Sequence, residues 1–329
     1  MNTFRTLVEI PKSENKISYK TKSMFVGSCF SENIGKKLEE FKIPTDINPF
    51  GVIYNPVSVK KILKIIISAE KFSKNDIMFF NGQWFSFYHH SRFSNINADK
   101  CLKDINERIQ SASIFLKDAD FLFVSFGTAW VYEYKKTRQI VANCHKIPSR
   151  EFNRYLLSAE EIIEEFKNLI TELLLFNPKL KLIFTVSPIR HRKDGAVGNQ
   201  VSKSTLILSI PKLKQLFDHI CYFPSYEIMM DDLRDYRFYS EDLIHLNQVA
   251  INYIWERFKE TYLDDESKKI IKEIEKLNNA KNHKPFNPAS ENYQKFLKQN
   301  LKKVELLLLK YPFLDFQKEK EFFSSKLIK

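Results

Sequence analysis

The chain has 329 residues, 43% of them hydrophobic, which is enough to bury one large core or two. The four cysteines, at 29, 101, 144 and 221, lack the close spacing of a zinc site, so free thiols are expected, with no disulfide, metal or cofactor. The net charge is +12, but residues 264–329 carry 15 Lys against 10 acidic residues, leaving +7 for the rest, with no dense basic block anywhere. Solvated faces account for this charge, and nucleic acid is not the expected partner. Residues 1–14 have no apolar core, and runs such as 62–69 are too short to span a bilayer, so the expectation is a soluble, cytoplasmic chain of no defined oligomeric state.

Residues 24–35 read as a buried strand, a tight turn at Gly27-Ser28-Cys29, and a helix whose Ile34, Leu38 and Phe41 share one face. The free N–H groups of such a first helical turn would face whatever sits on Cys29, as an anion hole. The Asn48 to Pro56 loop ends in an Asn-Pro helix start, and Gly51 within it is a candidate second N–H donor to the site. Aromatic residues around Asn81-Gly82 predict a hairpin over 78–93, ending in His89 and His90, a pair too poorly disposed to hold metal.

Asn97 opens a helix, and 119–126 is an apolar run that predicts a doubly covered strand beside the first. A second hairpin-like excursion over 130–140 returns to Asn143-Cys144-His145-Lys146. Ser158 and Glu161 form a capping box for a helix stopped at Asn177-Pro178. A strand over 180–186, a helix over 206–217 and a strand over 220–223 complete an alternation that predicts a parallel sheet with helices on both faces. Ligands of such sheets sit beyond the carboxyl ends of the strands, where Cys29, Thr128, Arg190 and Tyr226 would emerge.

Asp242 and His245 are three apart, so one turn lets the carboxylate hold the imidazole by one nitrogen, ahead of a helix over 248–262. Nucleophile, base and orienting acid would then be Cys29, His245 and Asp242, the chemistry would be acyl transfer, and the thiol pKa should be lowered by its helix terminus and the imidazole. Residues 264–329 read as Lys-rich helices broken at 284–288, an appendage to a domain spanning 1–263.

Six blocks carry a resemblance: Gly27-Ser28-Cys29-Phe30, Phe126-Gly127-Thr128-Ala129-Trp130, Asn143-Cys144-His145-Lys146, Thr185-Val186-Ser187-Pro188-Ile189-Arg190-His191, Phe223-Pro224-Ser225-Tyr226-Glu227 and Asp242-Leu243-Ile244-His245. Over roughly residues 20–260 the chain resembles the GSCFA-domain proteins, a bacterial group related to the SGNH (GDSL-like) esterases. The resemblance implies a three-layer, flavodoxin-like α/β/α fold with hairpin insertions, and an esterase or acyltransferase acting on a small acyl compound. It places Cys29 at the nucleophile position, with Ser28 as the alternative, and matches Asp242 and His245 to the catalytic Asp-x-x-His. The relatives' oxyanion asparagine is missing from Gly127-Thr128-Ala129-Trp130, and Asn143 is the candidate replacement. Arg190 or His191 would read an anionic group on the substrate. The competing reading is a catalytically degenerate binding module whose basic tail docks a partner or nucleic acid.

Overall fold

The computed structural model describes residues 5–328. Its elements begin with β1 (Ser23–Gly27), α1 (Cys29–Glu40), β2 (Thr45–Ile47), α2 (Pro56–Ser68), β3 (Met78–Phe80), β4 (Gln83–Phe85) and α3 (Ala98–Lys117). There follow β5 (Phe121–Phe126), β6 (Trp130–Tyr134), β7 (Gln139–Val141), β8 (Phe152–Leu156), α4 (Ala159–Phe176), β9 (Lys181–Val186), α5 (Gly195–Leu216) and β10 (Ile220–Tyr222). A single turn, α6 (Ser225–Glu227), then α7 (Gln248–Tyr262), α8 (Asp265–Asn282), α9 (Glu291–Lys310) and α10 (Gln317–Ser325) complete the chain.

Five strands pair in parallel in the order β2-β1-β5-β9-β10. The strand order reverses between β1 and β5, so the chain leaves their carboxyl ends in opposite directions and opens a crevice there. Alternation along the strands makes two apolar layers. Met24, Val26, Leu122, Val124 and Phe184 face α2 to α5, whereas Phe25, Phe123 and Ile183 face α1 and α7. Phe25 stacks on Phe123 with ring centroids 4.4 Å apart and planes 3° from parallel.

Local chemistry sets the helix ends. Asn55 caps α2 with Pro56 following, Asn97 caps α3, and Ser158 and Glu161 close a full capping box on α4. The predicted 78–93 hairpin is shorter, because its strands end at Phe85 and Ser86 takes the next turn, its carbonyl accepting the His89 N–H. The second hairpin gains an unpredicted third strand, β8, paired to β6. Helix α5 starts well before 206: its first turns carry Asn199, Ser202 and Lys203 on the buried face, which hides the apolar period.

The C-terminal helices continue the α1–α7 layer. Phe316 and Phe323 are fully buried in the same cluster as Phe25 and Phe258, and Glu319, nearly buried, holds Lys42 at 3.1 Å and Lys281 at 3.5 Å. One apolar core therefore runs across position 264.

Gly27 has φ 127°, and a Cβ there would lie 2.1 Å from the Ser125 carbonyl oxygen. Gly27→Ala should destabilise the protein by on the order of 3 kcal/mol, read as a lower chemical-denaturation midpoint. His89 offers a pH-dependent counterpart. Its ring stacks on Phe50 at 4.2 Å with neither nitrogen bonded to any of the described residues, and burial pushes its pKa down to about 3. Between that value and about 6.5 the unfolded chain binds the extra proton, so this contribution to stability is lost as pH falls below 6.5. His89→Phe should flatten the loss of melting temperature between pH 7 and pH 4.5.

Candidate active site

Parallel register brings the elbow together. Gly27 pairs with Ser125 and Phe126 with Val186, so Cys29, Gly127 and Ser187 leave adjacent strand ends side by side. Ser28 is the N-cap of α1 and is 1% exposed, its hydroxyl 2.8 Å from Ser125 Oγ and its N–H donating to the same oxygen at 2.8 Å. Ser31 Oγ also meets Ser125 Oγ at 2.8 Å. Ser28 is thereby tied beneath the helix, while Cys29, the first helical residue, is half-buried with its own N–H turned to its sulfur.

The thiol pKa is raised, not lowered as the sequence suggested. Burial is the largest cause; the Tyr54 hydroxyl, the Cys29 N–H and the Lys203 charge oppose it, and Glu32 adds to it. Desolvation of an anion outweighs a helix terminus whose positive end is only a partial charge. Tyr54 is pushed up to about 12, by burial first and then by Cys29, so it keeps its proton as a donor. Lys203 is fully buried on α5 and donates to Gly127 O at 2.7 Å and Ser187 O at 2.8 Å; burial brings it down to about 7. His191, edge-on to Tyr54 with centroids 5.7 Å apart, is pushed down to about 4 by burial and by Lys203.

Asp242 and His245 form the expected pair. Asp242 Oδ2 lies 2.6 Å from His245 Nδ1, while its Oδ1 accepts the Ile244 and His245 N–H groups, both at 2.9 Å. These three bonds hold the Asp242 carboxyl down at about 2 and fix a turn in which Leu243 takes φ 58°. Both side chains are exposed, and among the described residues no hydrogen bond joins His245 to Cys29, although the His245 charge is felt by His191. The direct thiol–imidazole bond expected from the sequence is therefore not formed in this geometry.

The other expected residues divide by what already occupies their polar groups. The Gly51 N–H donates to Asn48 O at 2.7 Å, and Gly127 and Thr128 both donate theirs to Tyr54 O, at 2.7 and 3.1 Å, so none of the three is a free oxyanion donor. A Cβ on Gly51 would lie 2.2 Å from His90 Cβ, and the Thr128 hydroxyl meets Ser202 Oγ at 3.0 Å. Asn143 spends its carboxamide oxygen on the His145 N–H, in a local turn. Tyr226 is buried, bonded to Gln200 at 2.9 Å and set against Lys203 with its ring 5.6 Å away. Arg190 rests on Met230 Sδ at 3.1 Å and lines a groove of about 270 Å³ with Met229, Tyr236, Tyr239 and Leu243.

Tyr54 and Lys203 escaped the sequence reading. Tyr54 precedes the Asn-Pro helix start and looks like loop filler, and only the stripe Asn199, Ser202, Leu206, Ile210 betrays that Lys203 shares a buried face. Among the described residues no cluster of three or more His, Cys, Asp or Glu could hold a metal, and no helix is long and apolar enough to cross a membrane.

The chain belongs to the GSCFA family: the model described as "GSCFA family" matches residues 22–258, and "GSCFA domain protein, C-terminal domain" matches 274–329. No curated protein matches it. Among solved structures it is similar to a carbohydrate esterase family 3 protein from Talaromyces cellulolyticus, at 9% identity and TM-score 0.38, covering 78% of this chain and 99% of that one. It is also similar to a Streptococcus pneumonia protein described as a platelet activating factor, at 11% identity and TM-score 0.38, covering 72% of this chain and 83% of that one.

Removing the Tyr54 hydroxyl takes away a donor that favours the thiolate. Tyr54→Phe should slow iodoacetamide alkylation of Cys29 several-fold near pH 8.5 and shift its pH profile upward, as followed by peptide mass spectrometry.

Proposed function

We propose that this GSCFA-family chain is an esterase or acyltransferase that carries the acyl group of a small ester, such as an acylated sugar or lipid, as a thioester on Cys29. The observation that supports this most is the position of Cys29, the first residue of α1, at the point where the order of the sheet reverses. There the Cys29 N–H and the positive end of α1 face the atom on which negative charge would develop.

In this reading His245 takes the Cys29 thiol proton as the sulfur attacks the ester carbonyl carbon, and the carbonyl oxygen takes up the electron pair against the first turn of α1 and the Tyr54 hydroxyl. His245, held by Asp242, protonates the departing alkoxide as the tetrahedral intermediate collapses. It then takes a proton from water, giving hydrolysis, or from an acceptor alcohol, giving transfer, as that oxygen attacks the thioester. Catalytic contacts commonly tighten once substrate is bound, and the 240–247 turn that carries His245 lies at the surface. Asp242 acts through His245, as its positioning residue.

A packing role for the basic tail is favoured by the apolar faces of α8 to α10, which are spent on the core, and by Lys281 and Lys310, which pair with Glu319 and Glu273.

Thioester and acyl-phosphonate probes of several chain lengths, followed by peptide mass spectrometry, should place an adduct on the peptide carrying Cys29. The adduct should vanish in Cys29→Ala and form at least about 100-fold more slowly in His245→Ala. Absence of any adduct on Cys29 or Ser28 across the series would sink the catalytic reading.

A further inference from the structure

Lys203 is a fully buried lysine at the end of the sheet, and no step above uses it. Its amine bridges two carbonyls, Gly127 O at 2.7 Å and Ser187 O at 2.8 Å, on the residues that follow β5 and β9. Gly127 leaves the sheet beside Cys29, because Gly27 and Ser125 are paired across β1 and β5. The amine therefore lies between the ends of β5 and β9, with the end of β5 separating it from the elbow's own strand. What surrounds it is otherwise neutral or positive. Arg190 and His191 come from the segment after β9, the Tyr226 ring packs from α6 with its centroid 5.6 Å away, and among the described residues the group whose anion favours the ammonium is Cys29 on α1. A buried ammonium with no carboxylate beside it is costly, and so is a buried thiolate without a cation.

We propose that Lys203 is the charge partner of Cys29, a positioning residue whose ammonium, clamped on the Gly127 and Ser187 carbonyls, makes the thiolate attainable in a buried elbow. Lys203 acts as a field: when the thiol proton leaves, the ammonium lowers the cost of the charge left on sulfur. As a neutral amine Lys203 has two N–H groups for the two carbonyls and a lone pair that takes a proton from solvent. With a pKa near 7 it changes state in the neutral range, so small changes in its surroundings decide which form dominates. The same cation stands near the oxyanion side of the elbow, where the expected asparagine is absent from residues 127–130. It thus makes up part of the missing stabilisation as a field instead of a hydrogen bond.

The inference shares with the proposed function the premise that Cys29 is the reacting atom, but its test reads the thiol alone. An inactive ester assay therefore leaves it standing, and its own failure leaves the acyl-transfer reading standing. Alkylation of Cys29 by iodoacetamide, followed by peptide mass spectrometry from pH 5.5 to 10, should be about tenfold slower at pH 7 in Lys203→Met than in the wild type, with the profile moved up by about one unit. A profile identical to that of the wild type, in a variant with wild-type near-UV circular dichroism, would overturn it.

Because emptying so buried a site can prevent folding, a second measurement uses proteins that retain the lysine. With 13Cε-labelled lysine, NMR of the wild type should show one lysine signal titrating near neutrality, and its midpoint should lie about one unit higher when Cys29 carries the fixed anion left by iodoacetate than when it carries the neutral adduct left by iodoacetamide. No lysine titrating below pH 9, or the same midpoint in both adducts, would overturn the pairing.

Discussion

A hydroxyl near the end of an otherwise apolar strand ties the elbow to the sheet. Ser125 Oγ takes the Ser28 N–H at 2.8 Å and lies 2.8 Å from both Ser28 Oγ and Ser31 Oγ, so one buried oxygen fixes the N-cap and the first turn of α1. Burying that hydroxyl would cost free energy if it were left alone; with three partners it holds the helix in one position over β5. The arrangement needs the backbones of β1 and β5 to approach more closely than side chains allow, and Gly27 in its left-handed conformation permits this. The direction in which Cys29 leaves the sheet follows from these two residues.

Once placed there, Cys29 is governed by a contest between desolvation and a few fixed charges. Burial raises the thiol and lowers His191 and Lys203, each toward its neutral form, as low-dielectric surroundings require. Glu32, on the same helix, would make matters worse for the thiolate, but it is engaged by Lys36 at 2.5 Å and by Asn48 at 3.2 Å, which spreads its charge over local partners. Near neutral pH Cys29 therefore rests as the thiol and His191 as the neutral imidazole, while Lys203 stands between its two forms. Reactivity in such a pocket comes from groups that favour charge only as it appears, which is the property expected of a preorganised site.

Much of this was legible in the sequence, for reasons specific to each piece. The apolar run at 180–186 and the capping box at Ser158 announce themselves because their signals are local and periodic. The Asp242–His245 pair was readable because a single turn sets its geometry whatever surrounds it. The sign of the Cys29 shift was not readable, since it depends on how much of the thiol the fold covers. At Asn143 only the local part is fixed: its carboxamide oxygen takes a short-range partner that is always available, the His145 N–H. Tyr54 and Lys203 reach the site from segments remote from Cys29, and no spacing rule links them to it.

Helix α5 shows why a residue such as Lys203 can lie where an apolar one is expected. Its first turns put Asn199, Ser202 and Lys203 on the buried face, and each takes a different irregular segment: the His191 N–H at 2.9 Å, the Ala129 N–H at 2.8 Å, and the Gly127 and Ser187 carbonyls. The segments that leave the ends of β5 and β9 have no ladder to satisfy these backbone groups, so the helix supplies the donors and acceptors instead. Apolar packing resumes in the second half of the helix, where Leu206, Ile210 and Leu213 enter the core and anchor it. One half of α5 thus holds the helix in place while the other shapes the crevice. A positive charge at the floor of that crevice then follows from the same device that orders its walls, because the side chain long enough to bridge both carbonyls also ends in an amine.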